Sequence, residues 1–204
     1  MRNKLLSILA STLVFASLSS TAFASTTTAN NAKVGDIMTE QQEQISKDFL
    51  KSHPDLVSKY NNLKLANNST QKSNSTLSVQ APAPVLSDYY TYFVSSGYDS
   101  ASKTITNYEW VDDGRLTTTA DFNGTVYVGT VEIGYGREYA SFNGSSLSEY
   151  DEVLLDFDGD SIIDGFIDVW KIDNVTSGQF SSNATSTNYN SNHPGPFYAQ
   201  INIK

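Results

Sequence analysis

From residue 85 to the C-terminus the chain is a succession of short β-branched and aromatic runs separated by turn residues. This pattern leaves few folds open, because such runs pack well on pleated sheets and poorly on helices. The clearest run is Phe197 to Ile203, where Phe197, Ala199, Ile201 and Ile203 alternate with Tyr198, Gln200, Asn202 and Lys204 beside them. Similar segments are read at Tyr89–Val94, Thr104–Val111, Thr125–Ile133, Glu138–Phe142, Glu152–Phe157 and Gly165–Ile172. Asn123-Gly124 and Asn143-Gly144 both read as hairpin turns, since each asks for positive φ. The expectation is an all-β fold, an antiparallel β-sandwich or barrel-like domain. Thr176 to Pro196 is long and polar and reads as a mobile loop or a surface insertion. On the 165–172 strand, Phe166, Trp170 and Ile172 share a face that should pack inward. Asp168 falls on that same face, which is unusual for a core strand.

The rest of the chain differs in kind. Residues 25 to 84 carry six basic and five acidic residues, whereas residues 85 to 204 carry five basic and 17 acidic. Eleven of the 12 Tyr and both Trp also lie after residue 84, so the packed core is expected there. Four segments follow: 1–24 a signal peptide, 25–65 an N-terminal segment with one or two short helices, 66–84 a flexible Ser/Asn/Pro linker, and 85–204 the β domain. Thr39 with Gln42 forms a capping box, Ile45 and Phe49 lie one turn apart, and Pro54 is placed to open a second helix carrying Leu56, Tyr60 and Leu63. The helical piece is either a spacer or a pro-segment that packs on the β domain.

Arg2 and Lys4, the apolar run Leu5–Leu18 and the small-residue site Ala22-Phe23-Ala24 form a secretory signal, with cleavage expected after Ala24. The apolar run is too short for a membrane anchor, so a secreted, extracellular chain with no membrane contact after cleavage is expected. The sequence has no Cys, which excludes disulfides, thiolate metal sites and a cysteine nucleophile. A net charge of −9 argues against nucleic acid as a partner. With this signal, Glu132-Ile133-Gly134-Tyr135-Gly136 and Phe142-Asn143-Gly144 resemble the YolA-like family of small secreted Gram-positive bacterial proteins. The resemblance implies an exported β domain over the last part of the chain and brings no catalytic residues with it.

One constellation carries chemistry. Residues 156–164 read Asp-Phe-Asp-Gly-Asp-Ser-Ile-Ile-Asp, and eight acids fall between Glu149 and Asp168 with no Lys, Arg or His among them. Alternate carboxylates on a tight loop suit Ca²⁺, which takes six to eight oxygens. The spacing resembles the calcium loops of FG-GAP-type repeats, thrombospondin type 3 repeats and dockerins. That resemblance implies side-chain ligands at Asp156, Asp158, Asp160 and Asp164 and a carbonyl ligand at Ile162, with Asp168 able to contribute. Ser161 stands where those loops carry a glycine, and no Glu follows at the twelfth position.

Catalytic arrangements are sparse. His53 reads as a cap, His193 as a loop residue, and the pairs Glu109 with Asp112 or Asp113 and Glu138 with Glu149 are unspecific. The expectation is a non-catalytic module, calcium-stabilised, that binds an extracellular glycan or protein partner, with Trp110, Tyr98 and Tyr135 as candidate ligand-binding aromatics. A small carboxylate-dependent, glycosidase-like hydrolase and an exported inhibitor with a removable pro-segment are the alternatives.

Overall fold

The computed structural model describes residues 36–70, 85–112, 114–186 and 196–204. The signal, most of the proposed linker, His193 and the 187–195 part of the expected loop lie outside these residues.

Among the described residues two helices come first, α1 (Glu40–Ser52) and α2 (Pro54–Thr70). The capping box at Thr39 and Gln42 is formed, with both reciprocal hydrogen bonds present. His53 caps the C-terminus of α1, its ring Nδ1 hydrogen-bonded to the Phe49 carbonyl at 2.7 Å, and Pro54 opens α2 where its missing N–H costs nothing. The second helix runs to Thr70, so the boundary expected at residue 65 moves five residues on. No helix among the described residues is long and apolar enough to cross a membrane.

Among the described residues nine strands follow: β1 (Asp88–Asp99), β2 (Thr104–Trp110), β3 (Gly124–Ile133), β4 (Gly136–Phe142), β5 (Ser145–Ser146), β6 (Glu149–Leu155), β7 (Gly165–Val175), β8 (Gly178–Ser186) and β9 (Phe197–Ile203). All pairings are antiparallel. They build a five-stranded sheet in the order β2-β1-β3-β7-β6 and a four-stranded sheet in the order β5-β4-β8-β9. The two sheets pack face to face as a sandwich, as the strand pattern led one to expect.

Two expectations fail. The polar stretch after Thr176 contains β8, because Phe180, Ser182, Ala184 and Ser186 alternate inward with polar residues outward. Small Ser and Ala side chains on the inner face hide the period of two from a hydrophobicity reading. Asn123-Gly124 is not a hairpin turn: β2 and β3 both pair with β1, and only Gly124 has positive φ. Asn143 and Gly144, by contrast, both have positive φ and join β4 to β5 tightly.

The core has two layers, one on each face of the five-stranded sheet. Between the sheets pack Val94, Val126, Val128, Trp170, Phe180 and Ile201, among others. On the outer face, Phe49, Leu50 and Leu56 of the helices cover Tyr92, Phe93, Val131, Val153, Ile167 and Val169. A bulge in β1 between Thr91 and Phe93 turns Tyr92 and Phe93 both toward the helices. Gly129 on the neighbouring strand makes room, since a Cβ there would stand 2.1 Å from the Phe93 ring. The helical segment is therefore not a spacer. Leu56 is fully buried, and each such side chain stabilises the packing by about 1.5–3 kcal/mol.

Polar contacts fasten the same cover. Tyr92 Oη donates to Asp55, Lys59 pairs with Asp88 at 3.0 Å, and Lys64 pairs with Asp158 at 2.9 Å. The Asp156 amide donates to Ser46 Oγ at 2.9 Å.

Candidate functional site

The acidic loop connects β6 to β7 and lies beneath the helices. Asp156 is buried, and its carboxylate accepts from the amides of Gly159, Asp160 and Ser161 at 2.7, 3.2 and 2.9 Å. These bonds wrap the backbone around one carboxylate, and they require Gly159 at φ +79° and Ser161 at φ +68°. Ser161 thus takes the left-handed conformation that a glycine would take more readily, which marks local strain. Asp164 accepts from the Phe157 amide at 2.9 Å and from Tyr60 Oη at 3.1 Å. Burial raises the Asp164 pKa against the lowering effect of these donors, and burial with the nearby Asp164 pushes the Tyr60 phenol up to about 12.

Carboxylate oxygens of Asp156, Asp158 and Asp164 lie within 4.8 Å of one another. Asp160, expected as a fourth ligand, is exposed and outside this trio, and its carboxylate accepts from the Ile162 amide. Ile162 forms a bridge with Ile37 whose hydrogen bonds run through the flanking residues, Met38 to Ser161 and Ile163 to Asp36. That pattern turns the Ile162 carbonyl away from residues 36–38. Asp168 does not join the loop. It sits mid-strand in β7, buried, and faces the second sheet.

There it belongs to a polar row that the sequence reading did not assemble. Thr91, Thr130, Asp168 and Glu152 are successive cross-strand partners on β1, β3, β7 and β6. Glu132 lies two residues further along β3 on the same face, opposite Tyr89. Glu138 of β4 reaches in from the other sheet, taking hydrogen bonds from Tyr89 Oη and Thr130 Oγ1, each at 3.3 Å. Trp170 Nε1 donates to Thr130 Oγ1 at 3.0 Å. Oxygens of Glu132, Glu138 and Asp168 come within 4.8 Å of one another, and Glu149 and Glu152 form a second such trio with Asp168. Burial pushes Glu138 and Asp168 well up from the usual carboxylate range; repulsion from Asp168 and Glu132 adds to it at Glu138, and repulsion from Glu132, Glu149 and Glu152 adds to it at Asp168. Burial and the neighbouring Glu149 push Glu152 up to about 8.

The signals for this cluster were present but isolated. Asp168 stood on an apolar face, and Glu132 stood between Val131 and Ile133 in an otherwise buried strand. The motif Glu132–Gly136 also has a local purpose, since the Gly136 amide donates to the Glu132 carboxylate across the turn. Only the sandwich brings Glu138 opposite them. Its expected partner Glu149 lies with Glu152 instead. Glu109 is likewise engaged, by Arg115 and by the Thr119 and Ala120 amides.

The three candidate aromatics lie in different places. Trp110 lines a groove of about 690 Å³ between α1, the α1–α2 junction and the β1–β2 hairpin, with Tyr92, Tyr108, His53, Asp55 and Lys103. Its ring meets Tyr108 at 4.5 Å, Tyr92 at 4.8 Å and His53 at 4.9 Å between centroids. Tyr98 donates to Asp151 at 2.7 Å and packs against Tyr127 and Tyr150. Tyr135 packs against a small cluster of Met38, Leu154, Ile163 and Phe166.

Fold and site together define a two-sheet antiparallel β-sandwich with a helical cover, an aromatic groove at the edge of that cover, and two compact clusters of acids. Residues 81–203 match the family described as a domain of unknown function (DUF4879), and the chain belongs to that family. The match begins after the helices, so the sandwich is the family's part and the cover lies outside it. No curated protein and no solved structure matches the chain.

Proposed function

We propose that this chain is an exported, non-catalytic module that binds an extracellular glycan in the groove beside Trp110, with a calcium ion at the 156–164 loop stabilising the helical cover that forms one wall. The groove itself carries this reading. It offers the half-buried Trp110 and the exposed Tyr108 as stacking surfaces, with Asp48, Asp55, Asp112 and Lys103 around them to meet hydroxyls. An arrangement of ring faces and convergent polar groups suits the alternating apolar and hydroxylated surfaces of a sugar.

Calcium is supported by the Asp156, Asp158 and Asp164 trio, and its binding would take the place of Lys64 at Asp158. An ion there would fasten the loop that already holds both helices. Export rests on the N-terminal sequence and on the likeness to the YolA-like secreted proteins.

The test is a glycan array followed by calorimetry on the full exported chain, with Trp110→Ala and Tyr108→Ala as variants and turnover assayed in parallel. Binding without turnover, reduced about tenfold or more by Trp110→Ala, supports the reading. Turnover that is lost in Glu138→Gln would replace it with the hydrolase alternative. Absence of binding to any polysaccharide would remove the glycan from the proposal.

A further inference from the structure

The acids between the sheets are a different matter from the loop. Glu132 and Asp168 are 3% and 6% exposed, and Glu138 reaches them from the opposite sheet. None of the three has a basic side chain among the causes that shift it. Burying three carboxyl groups together without a cation is costly, and they escape only by holding protons or by sharing a metal.

Unpartnered oxygens sharpen the choice. Glu138 Oε1 is enclosed and has no hydrogen-bond partner. Ser182, 4% exposed, stands beside the Tyr89 hydroxyl that contacts Glu138, and its Oγ is unpartnered too. Thr91, 5% exposed, is the cross-strand partner of the Thr130 that contacts Glu138, and its Oγ1 is unpartnered as well. Buried polar atoms normally find partners, so three orphans in one compartment mark a place for something with oxygen-directed bonding. The three carboxylate oxygens lie within 4.8 Å of one another, close enough to share one ion. A buried cage of protein oxygens suits calcium better than magnesium, which gives up its water reluctantly.

We propose that Glu132, Glu138 and Asp168 form a calcium site between the two sheets, with ion-bound water meeting the Ser182 and Thr91 hydroxyls. The donor set is all oxygen, which selects a hard cation. The site joins β3 and β7 of one sheet to β4 of the other, so the ion would cross-link the sandwich in a chain with no disulfide. It is independent of the loop site and of the glycan reading.

Terbium is the probe. Trp170, whose Nε1 donates to the Thr130 hydroxyl beside Glu138, is placed to sensitise a terbium ion held there. The full exported chain is titrated with terbium under tryptophan-selective excitation, then with calcium and with magnesium as competitors. The expected result is saturable emission, displaced by calcium ahead of magnesium. It should survive Asp158→Asn, which disables the loop site, and weaken more than about tenfold in affinity in Glu138→Gln. Circular dichroism checks that each variant folds, and Glu132→Gln replaces Glu138→Gln should that one not fold. Emission absent from the folded wild type, or unchanged by the carboxamide variants, overturns the inter-sheet site. Emission lost only in Asp158→Asn assigns the ion to the loop and overturns it equally.

Discussion

The five-stranded sheet packs an apolar cluster on each face, and only the inner face also buries a patch of acids. Its outer face is apolar, with Phe93, Val131, Ile167 and Val169 covered by Phe49, Leu50 and Leu56 of the helices. Its inner face is apolar at Val94, Val126, Val128 and Trp170 and beside them carries Thr91, Thr130, Asp168, Glu152 and Glu132, near Glu138 of the other sheet. Alternation along single strands produces the difference: in β7, Ile167 and Val169 face out while Phe166, Asp168 and Trp170 face in. The apolar face needs only a matching surface and is stabilised in proportion to the area it hides. The acidic patch needs protons, hydrogen-bond donors or an ion before its burial is tolerable. A segment outside the family match covers the first face, and residues within the match form the second.

The most severe way to break this comparison is to remove the cover. A chain beginning at residue 71 should lose cooperative unfolding or bind the hydrophobic dye ANS strongly, because Tyr92, Phe93, Val131 and Ile167 would meet water. A truncated chain that melts like the full one would instead mark the helices as a removable pro-segment. A gentler cut is Leu56→Ala. That side chain is fully buried, and its loss should cost about 2–5 kcal/mol in urea or guanidinium unfolding, with the inner face unaffected.

Removing calcium probes the acids. The melting midpoint should fall when a chelator replaces calcium, by the equivalent of about 2.7 kcal/mol for one site at a hundredfold excess of ion over Kd. Coincident midpoints would sink both calcium proposals. Asp168→Asn separates the inner face from the loop with a smaller effect of opposite signs. In chelator the variant should melt higher than the wild type, by ~2–4 °C for each kcal/mol of relieved repulsion. In calcium its gain from the ion should shrink.

The smallest expected effect lies away from both faces. Burial alone would raise the Glu109 pKa, but the amides of Ala120 and Thr119 and the Arg115 guanidinium together hold it below the usual glutamate range. Its carboxylate therefore stabilises the fold above the unfolded pKa, and that contribution is lost as pH falls through the lowered folded value. Glu109→Gln should flatten the acid limb of stability measured against pH and leave the neutral plateau only slightly lower.

The legibility of the chain varies with range. The capping box at Thr39, the role of His53 as a cap, the restart at Pro54 and the β9 alternation were readable because each rests on neighbours within a turn or a strand. The strand β8 was not, since its inward residues after Phe180 are Ser182, Ala184 and Ser186, whose smallness fits a tight sheet contact and carries no hydrophobic period. The β1 bulge that turns both Tyr92 and Phe93 to the helices was equally hidden, because plain alternation would have put Phe93 on the face of Thr91. In the acidic loop, Asp156, Asp158 and Asp164 converge, while Asp160 and Asp168 stay apart from them.

The sequence by itself determined most of the strands, the start and end of α1 and the start of α2, the concentration of acids after Glu149 and the absence of any disulfide. These follow from local sterics, hydrogen bonding and composition. Only the tertiary structure decided that the helices cover the sheet, that Trp110 meets His53 across 57 positions of chain in one groove, and that Glu138 faces Glu132 and Asp168. Such pairings depend on strand order and sheet stacking, which no local pattern encodes, and they arise from the need to hide one apolar face and satisfy the polar row on the other.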